Sequence, residues 1–459
     1  MFRHLWSSAT TGWHGCLSGA ERERTIVICR ELAARLGNPE IVEQAIRNAS
    51  QQTGYRHSVS WQPYSIAQGY SGLALLFGHM DLCLPAEGWD VIAHDYLVKA
   101  SCPLERMECP PCDLHAGLSG LAYTAFYLSR GGKRYKKLLS AIDTVLLKSQ
   151  AITCEQFLAS KNHSSVHLWD VISGFSGISR YLLIRKNDTA FRPALNMMLE
   201  CLVELANDVN GLPRWFTPVH LSPGIDMQKV YPEGSLNCGM AHGIPGPLAA
   251  LSLARIQGID VKGQESAIKK IADWLLAHRL DDKYGMNWPS AVAVRTVNGY
   301  AASKYLQTTE GLFPTHTGWC YGPSGVAASL WFAGMALNER EYSRKAVEIM
   351  SSIAERPLSE RMIVSPAFCH GFAGQLQIII RFAARTGIAQ FSDEAVTLVR
   401  LLLSKYYDPN FLLGFQSHED MGRSIDQAGL LDGVPGIILA LLAASTDIEP
   451  KWDNIFMLS

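Results

Sequence analysis

The chain lacks the marks of several function classes. Its 41 basic and 42 acidic residues leave a formal net charge of −1, with no basic run interleaved with aromatics. That gives no support for a nucleic-acid binder or for a strongly anionic membrane surface as partner. Arg3 and His4 stand near the N-terminus, but no apolar core of signal-peptide type follows them. The longest apolar stretch near the end, Gly433 to Ala444, is too short to span a bilayer. The eleven cysteines are scattered without a disulfide-like framework, so in a reducing compartment they are thiols or ligands. Cys109-Pro-Pro-Cys112 has redox spacing but no βαβ setting. The expected location is the cytoplasm.

What the chain does have is a phrase that recurs seven times: Gly-x-x-Gly followed by an apolar run. It appears as Gly69-Tyr-Ser-Gly72, Gly117-Leu-Ser-Gly120, Gly174-Phe-Ser-Gly177, Gly243-Ile-Pro-Gly246, Gly322-Pro-Ser-Gly325, Gly371-Phe-Ala-Gly374 and Gly433-Val-Pro-Gly436. The starts lie 48, 57, 69, 79, 49 and 62 residues apart. Each phrase opens a helix-like run that is apolar on every side, such as Val326 to Leu330 or Ile437 to Leu442, and such a helix is buried on every side. Between them lie stretches with one apolar stripe, such as Glu265 to His278 and Glu394 to Lys405, which read as surface helices.

Seven such pairs form a helical repeat array that most simply closes on itself. The expected class is all-α: a seven-fold α/α toroid, a double ring of inner and outer helices, with room for small irregular or β-containing insertions. It is read as one domain over residues 1–459. The repeats run from about 69 onward, and residues 1–68 supply the first outer helices through Ala20 to Leu36 and Glu40 to Ala49. Two stretches break the helical pattern, about 210–237 and 281–318, and long insertions in an ordered domain are often functional loops. The first glycine of each phrase is expected where a positive φ reverses the chain. The second lets the helix start lie close to its neighbours. The Ser or Pro between them is expected as a cap or a first-turn residue.

Aligned on the first glycine, the phrases place their reactive residues in register. Immediately before it stand His242, Tyr321, His370 and Asp432; two before it stand His115, Cys320 and Cys369; four before it stand Asp113 and Asp170. Equivalent positions of a closed ring lie at one end, so these residues converge on the N-termini of the inner helices. Cys320, Cys369 and His370 have the chemistry of a zinc site with one open position. The alternative is two buried thiols and a core histidine. Adjacent Cys369 and His370 cannot face the same way within a helix, but both can reach one ion from a loop. His242 reads as a general acid or base, or as a histidine capping its own turn. Asp170 could orient a histidine or only cap the helix, and capping is the default for Asp113. Tyr321 reads as packing or as a proton donor. Cys238 has no clear partner and is left out.

Asp170-Val-Ile-Ser-Gly-Phe-Ser-Gly, Asn237-Cys-Gly-Met-Ala-His242-Gly-Ile-Pro-Gly, Gly318-Trp-Cys320-Tyr321-Gly-Pro-Ser-Gly and Phe368-Cys369-His370-Gly-Phe-Ala-Gly together resemble the lanthionine synthetase cyclase family, the lanthipeptide cyclases. The resemblance runs from about Gly69 to the C-terminus. It implies a seven-fold α/α toroid with one zinc ion at its centre, held by Cys320, Cys369 and His370. It matches His242 to the catalytic histidine, Asp170 to its aspartate and Tyr321 to its tyrosine. Cys-Tyr-Gly is similar to the bacterial peptide cyclases, whereas the eukaryotic glutathione-linked relatives tend to have Cys-His-Gly. The bacterial cyclases commonly carry an Arg four residues before the first Cys. Here that position is His316, a titratable ring in place of a permanent charge, which bears on how a developing enolate is stabilised.

The implied activity is addition of substrate Cys thiols to dehydroalanine or dehydrobutyrine in a dehydrated precursor peptide. The implied partners are that peptide and a membrane-associated dehydratase and exporter, which would bring the chain to the inner face of the membrane. Three other readings stand beside it: addition of glutathione to dehydrated proteins, a non-catalytic peptide-binding scaffold, and an α/α-barrel glycosidase, which would need two carboxylates across a cleft.

Overall fold

The computed structural model describes residues 12–54, 60–222, 224–297, 304–419 and 422–459. Arg3 and His4 lie outside the described residues. The helices are α1 (Gly19–Leu36), α2 (Pro39–Gln52), α3 (Tyr70–Cys83), α4 (Trp89–Ser101), α5 (Leu118–Tyr127), α6 (Lys136–Ala159), α7 (Phe175–Ile184), α8 (Arg192–Leu205), α9 (Ile225–Val230), α10 (Pro245–Ile256), α11 (Gln264–Ala277), α12 (Pro323–Leu337), α13 (Arg340–Glu355), α14 (Phe372–Thr386), α15 (Ala389–Leu401) and α16 (Val434–Ser445). Both helices expected before Gly69 are present as α1 and α2. Every Gly-x-x-Gly phrase opens a buried helix: α3, α5, α7, α10, α12, α14 and α16. None of the eleven cysteines is in a disulfide. No described helix is long and apolar enough to cross a membrane.

The chain divides into two compact units. The first takes residues up to 111, 115–139 and 357–453. In it the buried helices α14, α16, α3 and α5 adjoin in that order, with α15, α1 and α4 packed outside the first three. α16 is buried from Val434 to Ser445 without interruption, as its all-apolar sequence requires. The second unit takes residues 112–114, 140–356 and 454–459. Its buried helices α7, α10 and α12 adjoin in order, covered by α8, α11 and α13. α13 shows the contrast between the layers. It buries only Tyr342, Ser343, Ala346, Val347, Ile349, Met350 and Ile353, one stripe at a spacing of three and four.

The glycines answer a steric demand more than a dihedral one. Only Gly322 of the seven leading glycines has a positive φ, at 95°; the rest are in ordinary negative-φ backbone. Their common constraint is the loop before each helix, which folds back beneath the helix start. A Cβ on Gly72, Gly177, Gly325 or Gly436 would collide with the carbonyl oxygen six residues earlier: Ile66, Val171, Trp319 and Leu430. The serines also differ from the expected caps. Ser176 and Ser324 lie inside their helices and donate to the Trp169 and Thr317 carbonyls of that same loop, both at 2.6 Å. The prolines fall in the first turn of α10, α12 and α16 as expected.

The two irregular stretches meet in one sheet within the second unit. Ser235–Asn237 pairs antiparallel with Ala291–Val297, which pairs antiparallel with Lys304–Thr308. The strand ending at Asn237 leads directly into the loop that carries His242. The last residues of this unit bond to its buried helices: the buried Arg180 guanidinium donates to the Asn454 and Ser459 carbonyls at 3.2 and 2.6 Å and to the Asn454 side chain.

Candidate active site

Backbone hydrogen bonds tie the loops before successive buried helices to one another. In the second unit Val171 N–H donates to Ala241 O at 3.1 Å, and Ala241 N–H donates to Cys320 O at 3.2 Å. In the first, Cys369 N–H donates to Leu431 O at 3.0 Å, Leu431 N–H to Ala67 O at 3.1 Å, and Ala67 N–H to His115 O at 3.0 Å. All but Val171 stand two residues before a leading glycine. The register read from the glycines is therefore a physical lattice, and within each unit it holds the residues beside those glycines at the N-terminal ends of the buried helices.

The tightest constellation lies in the second unit. Asp170 is fully buried. Its Oδ1 accepts from the backbone N–H of Ser173 at 2.7 Å and of Gly174 at 3.0 Å, which caps the turn ahead of α7. Its Oδ2 lies 2.7 Å from His242 Nδ1. Of the two uses weighed for Asp170, the contact with a histidine is present, whereas the other oxygen holds the loop ahead of α7 and does not cap the helix itself. Burial pushes the Asp170 carboxyl up, but hydrogen bonds from His167, His242 and the Ser173 backbone outweigh it and leave it below the ordinary value. An ionised Asp170 fixes the proton of a neutral His242 on Nδ1 and leaves Nε2 as the lone-pair nitrogen. The His242 side chain is 31% exposed, so the ring is held on one side and accessible on the other.

A third group reaches the same carboxylate. His167 Nδ1 lies 3.5 Å from Asp170 Oδ2, and its ring stands perpendicular to that of His242, centroids 5.7 Å apart. The hydrogen bond to Asp170 raises the His167 pKa against the opposing effect of burial. Nothing in the glycine register pointed to His167, which stands seven residues before Gly174; the only trace was His three residues before Asp.

Tyr321 and His316 share that unit. Asn237 Nδ2 donates to Tyr321 Oη at 3.2 Å, while Asn237 Oδ1 accepts from Gly239 N–H at 2.9 Å. His316 Nδ1 accepts from Gly318 N–H at 3.0 Å. A backbone N–H can only donate, so the neutral ring carries its proton on Nε2, which faces Cys320 Sγ at 4.0 Å. Cys238, set aside in the sequence, is fully buried; burial pushes its thiol up to about 12, only partly offset by a hydrogen bond from the Val292 backbone.

In the first unit Cys369, His370 and Asp432 offer donor atoms within 4.8 Å of one another. His370 Nδ1 lies 3.7 Å from Asp432 Oδ1, and Gln68 Nε2 donates to Asp432 Oδ2 at 3.1 Å. A thiolate, an imidazole and a carboxylate that can orient the imidazole are what a zinc site uses. His167, Asp170 and His242 meet the same distance criterion, but Nδ1 of His242 is committed to its bond with Asp170, which disfavours a metal there. Asp432 stood in the register without a role, and Asn237 stood in a quoted motif without one.

The lanthionine synthetase C-like family model matches residues 60–457. The chain is 27% identical over 332 residues to the nisin biosynthesis protein NisC of Lactococcus lactis subsp. lactis, covering 72% of each chain. Its fold is similar to that of the solved nisin cyclase, with a TM-score of 0.73 at 22% identity over 91% of this chain and 97% of that one. The chain belongs to the lanthionine synthetase C-like family. Its fold class is the all-α toroid of paired inner and outer helices that the seven glycine phrases led us to expect.

Proposed function

We propose that this chain is a zinc-dependent lanthipeptide cyclase. It adds Cys thiols of a dehydrated precursor peptide to dehydroalanine or dehydrobutyrine, forming lanthionine and methyllanthionine thioether rings. The observation that carries the reading is the His242–Asp170 pair at 2.7 Å, set in a loop that is hydrogen-bonded to Cys320. Family membership and the likeness to nisin cyclase support it.

Cys320, Cys369 and His370 are the proposed ligands of one zinc ion, with Asp432 orienting the His370 ring. Bound there, zinc lowers the pKa of a ligated thiol so that thiolate is present at neutral pH. His242 is the acid–base group. Nε2 takes the substrate thiol proton and returns it to Cα, while Asp170 holds Nδ1 and stabilises the imidazolium between the two steps. One S–H bond and one C=C π-bond break, and one S–C and one C–H bond form, with no net change in protons. Tyr321, whose Oη accepts from Asn237, is the proposed proton donor to the enolate oxygen. His316 turns its Nε2–H toward Cys320 Sγ, so it stabilises a thiolate in place of the cation that the family commonly has. Residues 1–459 are proposed to work as one catalytic domain in the cytoplasm, with the dehydratase and exporter as membrane-associated partners.

The test is ring formation on a dehydrated, Cys-containing peptide, read by protection from thiol alkylation and by product stereochemistry. Stereoselective closure by the wild type, lost in His242→Ala and in the Cys320→Ala/Cys369→Ala double variant, is expected. Retention of stereoselective closure by the double variant sinks the reading. Addition of glutathione in preference to ring closure favours the glutathione-adding alternative.

A further inference from the structure

Asp170 has two oxygens and three kinds of partner. Oδ1 is occupied by two backbone N–H groups. Oδ2 is left to two imidazoles, His242 at 2.7 Å and His167 at 3.5 Å. The short 3-10 turn Val166–Leu168 places His167 three residues before Asp170, and half of its side chain is exposed, so it exchanges protons freely with solvent. Among the described residues, the titratable groups in ion-pair or ring contact with His167 are Asp170 on its own turn and His242 from the loop ahead of α10.

We propose that His167 is a positioning residue that shares the Asp170 carboxylate with His242 and thereby sets the pH range in which His242 exchanges its proton. A carboxylate facing one imidazole lends it the whole of its negative charge and favours the imidazolium. A carboxylate that also faces an imidazolium at His167 lends less. His167, whose pKa Asp170 raises, keeps its proton to higher pH than an ordinary histidine. While it does, His242 feels a partly neutralised Asp170 and gives up its proton more readily, and the two rings titrate as a coupled pair. A group that must both take and return a proton works best when its titration lies near the working pH.

The inference rests on reading His242 as the acid–base group, but its test does not need turnover. Histidine-selective NMR titration follows the His242 ring, assigned with His242→Gln, in the wild type, His167→Ala and His167→Gln. Loss of the His167 charge raises the His242 midpoint by about 0.5–1 pH unit in both variants, a three- to tenfold change in the protonated-to-neutral ratio. The limb of the pH–kcat/KM profile that reports His242 moves by the same amount. An unmoved midpoint in both variants overturns the proposal. So does a wild-type midpoint in His167→Gln alone, because glutamine keeps a hydrogen-bond donor but no charge, and the role would then be packing. A shifted midpoint in a protein without cyclase activity upholds the charge sharing and removes the cyclase reading.

Discussion

Asp170 can be divided experimentally into its two halves. Asp170→Ala removes both. It strands the buried Gly174 N–H and the part-buried Ser173 N–H; a buried unpaired donor costs about 1–3 kcal/mol, so a loss of about 1–4 kcal/mol is expected. Asp170→Asn keeps an Oδ1 acceptor for those donors and turns an amide NH2 toward His242 Nδ1. The His242 ring must then accept at Nδ1 and carry its proton on Nε2, the wrong tautomer for a base facing substrate. It also loses the anion that stabilises its imidazolium. A hydrogen bond to a charged group is worth about 1.5–3 kcal/mol, and each 1.36 kcal/mol is tenfold in rate, so that bond alone accounts for about 10- to 150-fold. With the tautomer also wrong, a fall of about 10²- to 10⁴-fold in ring closure is expected, with wild-type zinc content and near-wild-type urea unfolding. The sign of the acid limb follows as well. The Asp170 pKa is lowered in the folded protein, so its stabilisation is present above the unfolded value of about 3.9 and is lost as pH falls through the folded value. Asp170→Asn lacks that loss. Asp170→Asn with less than a tenfold fall in rate refutes the dyad.

Two further outcomes are expected. Gly322→Ala puts a side chain at φ 95°, ψ −171°, a region essentially reserved for glycine and costing about 1–3 kcal/mol, and drives its Cβ into the His316 carbonyl; urea unfolding checks the stability loss, and an unchanged midpoint contradicts the steric account of the loop. His79 is fully buried, bonded to Tyr127 Oη at 2.9 Å, and burial pushes its pKa down to about 3. Its unfolded form takes up a proton below about pH 6.5 while the folded form does not, so stability falls as pH drops from there towards 3. His79→Leu should remove a few kcal/mol of the difference between unfolding at pH 7 and at pH 4, and an unaltered difference argues against a neutral buried ring.

Much of this fold is written locally. At four of the phrases the second glycine is required because a loop passes under the helix start six residues earlier, a constraint short enough to leave a mark in the sequence. The all-apolar runs of α12 and α16 mark burial for a similar reason. His242, Tyr321, Cys320, Cys369 and His370 could be picked out as candidates because they stand one or two residues before those glycines. What needed the structure lies across longer spans. Asn237 meets Tyr321 84 residues away, and Arg180 meets Asn454 274 residues away. The sheet joining residues 235–237 to 291–297 brings together two insertions separated by α10 and α11. The sharing of Asp170 by two rings depends on a side-chain direction that no periodicity encodes. The serines misled because a hydroxyl one turn inside a helix and one at its cap look alike in sequence; the loop beneath decides which carbonyl is within reach.

The proposed zinc site at Cys320, Cys369 and His370 is what would activate a substrate thiol, and the metal content of protein purified under reducing conditions without added metal tests it most directly. About one zinc per chain in the wild type, lost in Cys369→Ala, is the predicted result, since a site built from thiolate and imidazole holds its ion through purification. No zinc in the wild type contradicts it and leaves a toroid that binds peptides without activating their thiols.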